Sequence, residues 1–131
     1  MMMGQAETEV RAAIDTFSDG VRNGDIKAIE SVIAHEPNIV FFGSQAGDKE
    51  VEWDAVRASF KEQFQETGDI QSEVLDSTIS VVGDLAWAAY DLRYGEEGGS
   101  ASDTFESRWT GVLHRDVDGW KIVHMHHSRG R

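Results

Sequence analysis

The sequence has no cysteine. That absence excludes disulfide bridges, thiolate nucleophiles, cysteine-ligated zinc and iron–sulfur clusters. Proline occurs once, at Pro37. No apolar run approaches the length of a membrane span, and the start, Met1–Glu7, lacks the basic segment and apolar core of a secretion signal. The expectation is a cytoplasmic protein with no membrane partner. Bases are scarce as well: 12 Lys and Arg stand against 24 Asp and Glu, a formal net charge of −12. Binding to phosphate needs a cationic surface that releases counterions, so nucleic acid is excluded as a partner. The excess of acids reads as a solubility device.

What remains is enough for one domain. The chain has 131 residues, 40% of them hydrophobic, with four tryptophans to build a core. Residues 1–131 are read as a single unit whose first six residues are a flexible terminus. Val10, Ile14, Phe17 and Val21 recur at helical spacing. Gly24-Asp25 interrupts them, and Asp25 can cap a short second helix carrying Ile26, Ile29, Val32 and Ile33. Pro37 closes that helix and opens the extended run Asn38–Phe42, and residues 43–48 form a polar loop. Trp53, Val56, Phe60 and Phe64 mark a third helix.

After Gly68 the period changes. Residues 70–82 and 84–94 read as strands around a Gly83-Asp84 turn. Glu96–Ser100 is a flexible hairpin tip, 103–115 a long strand, Asp116–Gly119 a turn and 120–128 the last strand. The fold class is therefore α+β: a curved antiparallel sheet wrapped around three N-terminal helices. Such a sheet leaves part of its concave face open, and ligands bind there. The last strand carries the most chemistry, with His124, His126 and His127 within four positions. Imidazoles buried without partners are costly, and histidine changes charge near neutral pH. The run therefore marks a pocket or an interface.

Four segments carry a family resemblance: Asn23-Gly24-Asp25, Val82–Trp87, Arg108–Leu113 and Asp118–Ser128. With them the chain resembles the nuclear transport factor 2-like superfamily, whose fold is a cone. It is most similar to the SnoaL-like branch near the association domain of calcium/calmodulin-dependent protein kinase II. The resemblance implies a homodimer or larger homo-oligomer with one deep cavity per subunit. It does not supply a reaction, because the family includes isomerases, cyclases, dehydratases and non-catalytic assembly modules. Ketosteroid isomerases of this fold use two acids and a tyrosine. The matching positions here are Thr110 or Gly111, the stretch Phe41–Gly43, and the surroundings of Phe17, none of which supplies an acid or a tyrosine. The kinase association domain has three inward arginines instead. Arg108 and Arg93 lie close to two of them and His127 replaces the third, which implies an anion-accepting pocket.

Strict alternation puts Trp120, Ile122, His124, His126 and Ser128 on one face of the last strand and Lys121, Val123, Met125 and His127 on the other. Matching to the isomerases sends the second set, with Met125 and His127, to the cavity. His124 and His126 then lie on the outer face, where such dimers meet; a single bulge would invert the assignment. These two histidines lack a third ligand at telling spacing, so no metal and no cofactor is expected. An inward Arg108 would need a carboxylate, from a ligand or from Glu106, Asp91 or Asp15. Arg93 is a ligand contact or a surface cation. Trp53, Trp87 and Tyr90 are pocket walls or ordinary core, and Thr110 and Met125 are expected ligand contacts. No glycine-framed serine and no phosphate loop appears.

The resulting expectation is a domain that binds a small organic acid or ketone in its cone. If it is an enzyme, His127 transfers the proton and Arg108 stabilises developing negative charge, in lyase or isomerase chemistry. The alternative is a non-catalytic assembly or binding module.

Overall fold

The helical stripe Val10–Val21 becomes α1, Gln5–Asn23, with Val10, Ile14 and Phe17 buried against the sheet. The computed structural model describes residues 4–44, 46–66, 70–96 and 105–129. Two glycines position the first helix pair. Gly24 ends α1 in the left-handed region at φ 64°, which a side chain would strain. At Gly20 an added Cβ would sit 2.9 Å from Ile29 Cγ1, so the missing side chain lets the next helix approach. That helix, α2 (Ile26–Val32), is capped by Asp25, whose carboxylate accepts from the Ala28 N–H at 3.2 Å.

The helix ends before Pro37, and a tertiary contact ends it. Ile33 turns extended and bridges to Ile122, while the Ala34 N–H donates to the Ile122 carbonyl at 3.0 Å. Two short strands follow, β1 (Val40–Phe42) and β2 (Lys49–Val51), the second lying beyond the expected polar loop. Then come α3 (Trp53–Glu66) and a long meander: β3 (Ile70–Val82), β4 (Leu85–Glu96), β5 (Phe105–Asp116) and β6 (Gly119–Arg129). Residues 97–104, most of the expected hairpin tip, lie outside the described residues.

The sheet order is β2-β1-β6-β5-β4-β3, antiparallel except where β1 runs parallel to β6. The three helices pack on one face, over a core that includes Phe17, Ile29, Ile39, Leu113 and Ile122. No helix among the described residues is long and apolar enough to cross a membrane.

One irregularity decides what the last strand presents. Leu113 pairs with Ile122 but Val112 with His124, which leaves Val123 as the extra residue of a β-bulge. Trp120 and Ile122 therefore share the helix-facing side with Met125 and His127, and all but the half-buried His127 are buried. Strict alternation had put these pairs on opposite faces. His124 and His126 face outward, as expected, beside Phe42 of β1.

Candidate functional site

A cavity of about 110 Å³ opens between α1, α3 and the concave sheet. Its walls follow from alternation. On β4 the inward residues include Tyr90 and Leu92; on β5 they are Ser107, Trp109, Gly111 and Leu113; on β6, Met125 and His127. Three of these rings lie in register on neighbouring strands and form a ladder. Tyr90 and Trp109 are parallel within 3° at 6.2 Å between centroids, and Trp109 and His127 within 12° at 4.2 Å. The buried Ser107 accepts a hydrogen bond from Trp109 Nε1 at 3.0 Å, which holds the middle ring. Phe17 of α1 meets Trp109 edge-on at 5.9 Å and Phe60 of α3 at 5.8 Å, closing the apolar end.

Part of the lining is polar. Ser18 and Gln63 are half-buried and Arg22 is exposed, each lining the cavity together with Ser72 of β3 and Val21. Such a space admits a ligand of about one ring, with any polar group directed toward the opening.

Two titratable groups in the wall are shifted. Burial pushes the Tyr90 phenol above its ordinary range, with the Asp15 charge adding to the rise and a hydrogen bond to Ser18 opposing it. The phenol therefore stays neutral and can donate. Burial lowers His127 to about 4, with help from Arg129 and His126 and opposition from Asp48. His127 is thus a neutral imidazole at pH 7.

The His127 shift has a stability consequence. Between the unfolded value of 6.5 and the folded value of about 4, the unfolded chain binds the proton and the folded one does not. Stability is therefore complete above the unfolded value and falls as pH drops toward the folded one. The ring is half-buried, so solvent screening leaves roughly 1–2 kcal/mol of this linkage. Urea unfolding of the parent and of His127→Gln at about pH 7.5 and about pH 4.5 should show the parent losing that much more. Parallel pH profiles would assign the linkage to other groups.

Of the residues singled out in the sequence, the cavity brings together Tyr90 and His127. Met125 is 1% exposed and belongs to the core, its Cε 3.3 Å from where a Gly111 side chain would begin. Trp53 starts α3 and stacks on His35 at 4.3 Å, away from the cavity lining. Arg108, Thr110, Arg93 and Trp87 all point to the outer face, because each lies one position from an inward-facing neighbour. The expectation of an inward Arg108 guanidinium is corrected accordingly: Trp109 takes the inward position and Arg108 is exposed, in register with Asp91. Arg93 pairs with Glu106 at 3.2 Å, so of its two readings the surface cation holds. Trp87 is 47% exposed.

Sequence reading did not single out Phe17, Ser18, Val21, Arg22 or Gln63 as site residues. Phe17 and Val21 were already on the α1 core stripe, and Ser18 and Arg22 form the neighbouring stripe at i, i+4. That pattern was available, but a polar stripe beside an apolar one ordinarily faces water. Among the described residues no group of three His, Cys, Asp or Glu side chains is gathered to hold a metal.

Comparison with known proteins agrees with this geometry. The SnoaL-like domain family matches residues 10–130. An NTF2-like protein of unknown function from Pseudomonas putida KT2440 is 29% identical, with 98% of this chain and 89% of that one covered and a TM-score of 0.86. A protein proposed to be a dehydratase of the NTF2-like family, from Streptomyces avermitilis, is 22% identical over 95% of this chain and 96% of that one, with a TM-score of 0.84. The CaMKII hub of S. rosetta is 20% identical, covers 99% of this chain and 100% of its own, and has a TM-score of 0.75. Among curated proteins no sequence matches the chain. With the family match running along α1, the ring ladder and the bulged final strand, this chain belongs to the SnoaL-like domains of the NTF2-like superfamily.

Proposed function

We propose that this protein is a cytoplasmic homodimer that binds one small organic molecule per subunit, a carboxylate or an enolisable carbonyl compound with a body of about one ring. We propose further that His127 moves a proton on that molecule, in lyase or isomerase chemistry. The observation that carries the reading is a neutral imidazole held flat against Trp109 in the wall of an open, mostly apolar cavity. The imidazole is unprotonated at working pH and fixed by stacking; its lowered pKa makes it a weak base, so ligand binding must raise its proton affinity toward the working pH for it to take a proton next to a carbonyl. Tyr90, kept neutral by burial, can donate to the oxygen on which negative charge then develops. This gives the phenol the stabilising role that the sequence alone assigned to Arg108.

The test is exchange of α-protons for deuterium, followed by NMR with a panel of ring-bearing ketones and carboxylates. The parent protein should catalyse exchange for some members, and His127→Gln should reduce the rate by about 10²–10⁴-fold while retaining binding. Undiminished exchange in that variant would overturn the role of His127. If no member of the panel raises the melting temperature, the cavity reading itself falls.

A second reading, a non-catalytic assembly module, draws support from the outer sheet face. There Leu85 and Trp87 are 50% and 47% exposed and Phe42 37%. Pairing of this face with a second copy fits either reading, whereas a ring larger than a dimer with no turnover favours the module.

A further inference from the structure

Among the described residues the cavity has one cation in its lining, Arg22, and it is exposed. We propose that Arg22 selects the ligand: the molecule carries a carboxylate or other anionic group that meets this guanidinium at the mouth while its apolar body lies against Phe17 and Trp109. The inference rests on the cavity being a ligand site and adds the ligand's charge and its direction of entry.

Three observations favour an anion-receiving role over a purely structural one. First, burial grades along the cavity: Phe17, Tyr90 and Leu92 are 1%, 4% and 8% exposed, whereas Arg22 is exposed. A ligand with an apolar body and a charged end has only one favourable orientation in such a space, because burying an unpaired charge is costly. Second, α1 does not depend on Arg22 to complete its C-terminus. The Gly24 N–H caps toward the Gly20 and Val21 carbonyls, and the Asp25 N–H donates to Gly20 at 2.8 Å. Third, the guanidinium bonds Asp19 through Nη2 at 2.9 Å in an exposed pair. Exposed pairs of this kind contribute little, and the planar group has further donors to offer. A ligand carboxylate can therefore share or replace Asp19 at small cost.

The protein's own charge of −12 opposes an anion at a distance. At physiological salt that field decays over about 8 Å, and close to the mouth, where Asp19 and Asp15 are the nearby carboxylates, the attraction comes from the guanidinium donors that Asp19 leaves unused.

The test uses benzoate and benzamide, which share size and shape and differ in charge, titrated into the intact protein and followed by NMR at Trp109 and His127. Benzoate should bind about tenfold more tightly than benzamide, a preference that Arg22→Gln abolishes and Arg22→Lys partly keeps. Equal affinities for the two compounds, or a preference that survives Arg22→Gln, would overturn the role of Arg22 and leave the cavity standing. No response to either compound would overturn both. Thermal melts of the variants separate a loss of selectivity from a loss of fold.

Discussion

Phe17→Ala is expected to destabilise the protein by about 3–5 kcal/mol and to lower the midpoint of thermal unfolding by roughly 10–20 °C. Phe17 is 1% exposed, and its ring packs against Phe41, Phe60 and Trp109 at centroid distances of 6.5, 5.8 and 5.9 Å. It thus joins α1 to α3 and to strands β1 and β5 of the sheet. Truncation loses the transfer free energy of a whole ring and leaves a void that rigid neighbours cannot fill, since strands flank it on one side and helices on the other. Denaturant unfolding with an unchanged m-value would measure the loss. Phe17→Leu conserves much of the volume and should cost less than about 1.5 kcal/mol. A cost for Phe17→Ala as small as that for Phe17→Leu would mean that the cavity end of the core collapses around the deletion. The aromatic cluster would then not be the support of the site.

The second large effect concerns the opposite side of the sheet. The parent chain of 14.5 kDa should sediment as a dimer, and Trp87→Glu should convert it to a monomer, weakening association by at least about 30-fold. Trp87 stands in register with Ser80 and Val112, near Leu85 on its own strand. Farther across the same face lie Thr110 and His126, then Phe42. His124 Nδ1 donates to the Val40 carbonyl at 2.8 Å, which fixes one imidazole on this face. Large rings on an ordered sheet are the residues that anchor interfaces, and a carboxylate placed among them would be buried without a partner. Because Trp87 lies outside the core, the variant should keep its secondary structure. A parent protein that is monomeric at every concentration would remove the dimer from the proposal, whereas an assembly beyond a dimer would favour the module reading.

Local periodicity was enough for α1 and α3, the four-strand meander and the Asp25 cap, because each depends on neighbours within a few residues. It missed β2, a strand of three residues that pairs with another equally short. It also attributed the end of α2 to Pro37, when the pairing of Ile33 with Ile122, 89 positions later in the chain, draws the backbone out of the helix first. Family matching reads His127 as cavity-facing, and Tyr90 is an aromatic wall candidate together with Trp53 and Trp87, although alternation on one strand separates Trp87 from Tyr90. The inward placement of Arg108 did not survive, for a definite reason. On β5 both alternating sets are mixed: Ser107, Trp109, Gly111 and Leu113 compete with Arg108, Thr110, Val112 and His114. Neither set is plainly the apolar one, and a shift of one residue exchanges them completely.

Amino-acid order alone established most of the elements, their succession, the acidic charge balance and the imidazole-rich last strand. Packing settled the rest: the face each strand turns inward, the bulge at Val123 that brings Trp120 to the same side as His127, and the placing of Arg22 and the ring ladder in the lining of one cavity. Elements form through contacts a few residues apart, which a linear pattern records. A cavity is formed by surfaces that meet from distant parts of the chain, and its lining is known only once strand register and helix rotation are set together.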